Sequence, residues 1–114
     1  MLSIERLKEY GAATDEGLAR CMNNEAFYLR LVGMVLKDPN FDGLKEALEA
    51  GDLDKGFETA HALKGVLGNL ALTPLYQPAS EMTELLRSRT QTDYTPYLAE
   101  IERQKTALEA LAAD

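Results

Sequence analysis

No window of this chain alternates apolar and polar residues with period two; its apolar residues recur at spacings of three and four. That property restricts the fold most, because a half-buried strand needs alternation and a packed helix needs a stripe repeating every ~3.6 residues. Leucine and alanine supply most of the apolar side chains, while isoleucine and valine are confined to Ile4, Ile101, Val32, Val35 and Val66. Straight and γ-branched side chains keep their rotamer freedom in helices, whereas β-branched ones favour strands. The expected class is all-α.

Start and stop signals divide the chain. Ser3 caps a short helix closing at Tyr10, and Gly11 suits the left-handed residue after it. Thr14, with Asp15 and Glu16 in the first turn, opens a second short helix carrying Leu18 and Met22. Asn24 caps a longer one with Phe27, Leu31, Met34 and Val35 on one stripe, ended by Pro39. Phe41, Leu44 and Leu48 mark a fourth helix that stops at Gly51, and Asp52 caps a fifth running to about Ala71. Thr73 and Pro74, a capping hydroxyl followed by proline, signal a sixth with Leu75, Ala79, Met82 and Leu86 buried. Pro78 interrupts it, so "TPLYQ" is expected as a separate turn, with the regular helix starting at Pro78. Thr95 and Pro96 repeat the device, and Leu98, Ile101, Leu108 and Leu111 carry a last helix to the C-terminus.

The one connection longer than a tight turn is "RTQTDY" at 89–94. Short connections force neighbouring helices to run antiparallel. The expected architecture is therefore an up-and-down four-helix bundle over about 24–112, preceded by short helices over about 3–22, all within a single domain spanning 1–114.

Twelve basic against nineteen acidic residues leave a net charge of −7, which argues against nucleic acid as a partner because phosphate backbones demand a basic footprint. No stretch approaches the roughly 20 apolar residues of a membrane span. The opening "MLSIERLKEY" carries charges where a secretory leader is apolar, so a soluble cytoplasmic protein with no membrane contact is expected. The single Cys21 lies among apolar neighbours and reads as a buried structural thiol, not as the nucleophile of a Cys–His pair. One His and one Cys exclude a structural zinc site, and no metal is expected.

The one histidine, His61, stands in "FETAHALKGVLGNLAL", residues 57–72. On a helix, Leu53, Phe57, Ala60, Leu63, Leu67 and Leu70 make the core stripe. His61, Gly65 and Gly68 fall within roughly 60° of one another on the adjoining ridge, with Lys64 at its border. Glycine costs about 1 kcal/mol in a helix interior relative to alanine. Close helix packing explains one such glycine; two on the histidine's own ridge read as ground cleared for a molecule approaching the imidazole. A neutral imidazole is a good nucleophile, and the Lys64 ammonium is placed to stabilise a phosphoryl group arriving on it. Asp54 and Glu58 precede His61 by seven and three residues on roughly the same ridge. A solvated acidic face is their plain reading, and Glu58 is also a candidate to hold the ring's Nδ1–H and orient Nε2 outward.

"AHALKGVLGNL" resembles the signature of the histidine-containing phosphotransfer (HPt) domains of two-component phosphorelays, a helical His-x-x-Lys-Gly with a further small residue one turn later. The likeness extends over nearly the whole chain, through "LEAGDL" and "SEMTELLR". By that resemblance His61 is the phosphoacceptor, its Nε2 taking phosphate from a receiver domain's aspartyl phosphate. Lys64 then contacts the phosphoryl oxygens, and Gly65 and Gly68 leave room for the receiver. The expected partners are the receiver domains of a hybrid histidine kinase and of a response regulator. Mg²⁺ is expected on the receiver, with no cofactor on this chain and no kinase activity of its own. Ala71 stands where many members carry another glycine, and Pro78 interrupts a helix that is usually smooth. A stand-alone monomeric phosphocarrier is expected; a helical adaptor that binds signalling partners without accepting phosphate is the alternative.

Overall fold

Caps and burial together decide where each helix starts and how it is turned. The structure, a computed structural model, describes residues 1–113. Among these the regular elements are seven helices: α1 (Ile4–Tyr10), α2 (Thr14–Arg20), α3 (Glu25–Val35), α4 (Asn40–Glu49), α5 (Leu53–Asn69), α6 (Thr73–Arg87) and α7 (Thr95–Ala113). None is long and apolar enough to cross a membrane. Three of the predicted caps are in place: Ser3 Oγ accepts from the Arg6 N–H, Asn24 Oδ1 from Phe27, and Asp52 Oδ1 from Lys55. Each such cap contributes about 1 kcal/mol. Gly11 closes α1 at φ 112°, a conformation in which a side chain would be strained.

α5 packs between α4 and α6, and α7 lies on α6. Leu63 and Leu67 of α5 meet Leu44, Leu75, Met82 and Leu86 in one core, all essentially inaccessible to water. Burying each such side chain stabilises by about 1.5–3 kcal/mol. α1–α3 cover the turn between α5 and α6. The Ala13 N–H donates to the Ala71 carbonyl at 2.9 Å, and the Tyr28 hydroxyl donates to the Leu70 carbonyl at 2.8 Å. The 88–94 connection is closed on itself by Tyr94, whose buried ring sends its hydroxyl to the Thr90 carbonyl at 2.7 Å.

Five local expectations need correction. The buried stripe of α3 is Tyr28, Val32 and Val35; Phe27 and Leu31 are half-buried and Met34 is 60 % exposed. α3 is apolar on several sides, and the bond from Tyr28 to Leu70 selects the face. Met22 lies outside α2, exposed, in a turn where it and Asn23 are both left-handed. Thr73 is already helical and its flanking residue Leu72 makes no side-chain cap. Pro78 sits inside α6, not at its start. Helix broken at 78 would lose the register between buried Leu75 and buried Ala79, Met82 and Leu86, so burial outweighs the one backbone bond that proline cannot make. At α7 the cap comes from Asp93, whose Oδ1 accepts from the Thr95 N–H at 2.9 Å; hydrogen bonds from Thr95 hold that carboxyl below the usual range.

Candidate functional site

Burial of Ala60, Leu63 and Leu67 fixes the rotation of α5, and that rotation turns His61 and Gly65 outward to solvent. Lys64 sits between the two faces with its side chain 25 % exposed. The imidazole stacks on Phe57 one turn earlier, the ring centroids 5.5 Å apart and the planes 18° from parallel. From α6, the Arg87 guanidinium lies 5.1 Å from the Phe57 centroid. Arg87 Nε also meets Glu84 Oε2 at 3.4 Å, while Glu84 Oε1 meets Lys64 Nζ at 3.6 Å. The contacts therefore leave α5 at Phe57 and return to it at Lys64, passing through one carboxylate of α6.

His61, Lys64, Gly65 and Gly68 line one surface hollow of about 670 Å³. Its other walls come from Glu16 and Arg20 of α2 and from Tyr76 and Gln77 of α6. The two glycines differ in what they do there. A Cβ at Gly65 would meet nothing within 4 Å, so this position is open ground. A Cβ at Gly68 would stand 2.9 Å from Cε1 of Tyr76, so this glycine makes room for a ring of its own protein. Beside the expectation that both glycines serve an approaching molecule, Gly68 therefore also has a packing role against Tyr76. On another side of Gly65 a second hollow of about 580 Å³ is lined by apolar side chains including Leu31, Met34 and Val66.

Glu58 does not reach the ring. It pairs with Lys55 at 3.7 Å, and Asp54 pairs with Arg89 at 2.7 Å. The neighbour that the structure gives the imidazole on α5 is Phe57, which periodicity assigns to the core stripe and which is half-buried. Arg20 is the residue sequence reasoning missed. Its Nη1 donates to the Gly68 carbonyl at 2.5 Å, an acceptor at the end of α5 that also takes the Ala71 N–H at 3.1 Å. No spacing rule links residues on helices this far apart in sequence, so no local signal pointed to it. Cys21 is buried, and among the described residues no group of three His, Cys, Asp or Glu side chains is placed to hold a metal ion.

An exposed imidazole on a rigid helix, with a lysine one turn away and an unobstructed glycine beside it, can serve as a nucleophile towards a group presented by another molecule. Comparison with known proteins bears on which group. No curated protein and no solved structure gives a significant match. A family model described as "Hpt domain" matches residues 38–114, a span that includes α4 to α7 and every candidate residue of α5. With well over half its length matched, the chain belongs to the Hpt domain family, and its role is of the phosphotransfer type in two-component signalling.

Proposed function

We propose that the protein is a phosphocarrier that takes a phosphoryl group on His61 from the aspartyl phosphate of one receiver domain and passes it to a second. The observation that carries this reading is the placement of His61: exposed, stacked on Phe57, and facing a hollow shared with Lys64 and the open Gly65. In the transfer, the Nε2 lone pair forms the new N–P bond as the aspartyl O–P bond breaks. The receiver carboxylate leaves with that electron pair, and the ring keeps its proton on Nδ1. Lys64 balances charge on the phosphoryl oxygens. The receiver contributes Mg²⁺ and the acidic pocket, while this chain contributes a nucleophile already oriented, which spares the entropy of alignment.

The same reading takes about 24–112 as an antiparallel four-helix bundle and residues 1–114 as one domain, acting as a monomer in the cytoplasm. Hpt domains interact with receiver domains, and the apolar hollow beside Gly65 offers further contact area. The test is incubation with receiver domains loaded from acetyl phosphate. The wild-type protein is expected to gain acid-labile, alkali-stable phosphate, and His61→Gln to gain none. Equal labelling of the two, or binding of a loaded receiver without any labelling, would favour the adaptor alternative.

A further inference from the structure

Glu84 has no place in the transfer described above, yet it touches both Lys64 and Arg87, the cation over Phe57. Its Oε1 lies 3.6 Å from Lys64 Nζ and its Oε2 lies 3.4 Å from Arg87 Nε. Arg87 in turn covers Phe57, the ring on which His61 stacks. The carboxylate is 58 % exposed, so this pairing is a weak one that an incoming anion can displace.

We infer that Glu84 is a positioning residue that holds Lys64 while His61 is unmodified and competes with the phosphoryl group for that ammonium once His61 is loaded. The inference rests on the phosphocarrier reading. A phosphoryl group on Nε2 carries more charge than a carboxylate and draws Lys64 towards it. Glu84 then loses its partner and stands as a like charge near the new dianion. Both effects raise the free energy of the loaded state relative to the free imidazole. The N–P bond is thereby kept easier to break, whether the leaving phosphoryl goes to a receiver carboxylate or to water. Glu84 keeps His61 a transit point and not a sink.

The experiment loads the full chain with phosphoramidate, which needs no receiver, and follows phosphohistidine by ³¹P NMR. Glu84→Gln removes the competing charge and preserves side-chain shape on an exposed helix face, so its thermal midpoint should match the wild type. An exposed ion pair sets the scale, and the phosphohistidine half-life should lengthen about two- to fivefold. The change must depend on Lys64: in a Lys64→Gln background only the like-charge effect remains, so Glu84→Gln should lengthen the half-life by clearly less than it does when Lys64 is present. An unchanged or shortened half-life in Glu84→Gln overturns the inference, as does an equal lengthening in the Lys64→Gln background. Failure of the wild-type protein to form phosphohistidine is a different result, which removes the phosphocarrier reading itself.

Discussion

Gly65 and Gly68 look alike in sequence and part company in space. Nothing lies within 4 Å of a Cβ at Gly65, whereas one at Gly68 presses on Tyr76. Gly65→Gln should therefore fold at least as well as the wild type, gaining roughly 0.5–1 kcal/mol of helix propensity. It should also slow transfer from a loaded receiver by about tenfold or more, since an ångström of misplacement can cost about 10²-fold. Gly68→Ala should behave the other way. The Tyr76 ring must shift at an overpacking cost of about 1–3 kcal/mol, set against up to about 1 kcal/mol of helix propensity gained, and the net loss appears in a urea melt. A Gly65→Gln protein that transfers at full rate would show that the receiver does not pass over this position.

At the scale of elements, the join between α3 and the α5–α6 turn is the informative one. Tyr28 is fully buried and donates to the Leu70 carbonyl. Burial, and secondarily the nearby Cys21, pushes its phenol from 10.0 up to about 12. A group whose folded pKa is raised keeps its proton in the native state after the unfolded chain has lost it. Stability from Tyr28 is thus fully present below pH 10 and is lost as pH rises through about 12. Burial raises the Tyr10 phenol as well, in the same sense. Tyr28→Phe should flatten part of this alkaline loss. At neutral pH it should lower stability by about 1–3 kcal/mol, the cost of a buried carbonyl without its donor. Urea melts at pH 7 and pH 11 measure both.

Over the whole molecule, the family match begins at residue 38 and leaves out α1–α3. Yet those helices close the end of α5 on which the site depends. Ala13 bonds to Ala71, Arg20 to Gly68 and Tyr28 to Leu70, and Leu7, Tyr28 and Val32 complete the core. A fragment of residues 38–114 should therefore lose three hydrogen-bond donors at the α5–α6 turn and expose much of the apolar surface that α1–α3 cover. It should melt without a cooperative transition. Circular dichroism during heating checks this, and a sharp transition close to that of the full chain would show that the matched segment is self-sufficient.

What the sequence determined by itself is whatever depends on neighbours along the chain. Spacings of three and four made every element a helix, and Ser3, Asn24 and Asp52 started theirs because a cap bonds three residues ahead. Periodicity likewise put His61 and Gly65 outside the core stripe, because residues 53–70 share one helix. The tertiary structure decided what depends on partners from elsewhere. Tyr76 from α6 claimed Gly68, Glu84 from α6 claimed Lys64, and Lys55 drew Glu58 away from the imidazole. Arg20 reached the site from α2, and the buried register of α6 overrode Pro78. Helical geometry is local and can be counted along a sequence; the choice among competing contacts is settled only when separate helices meet.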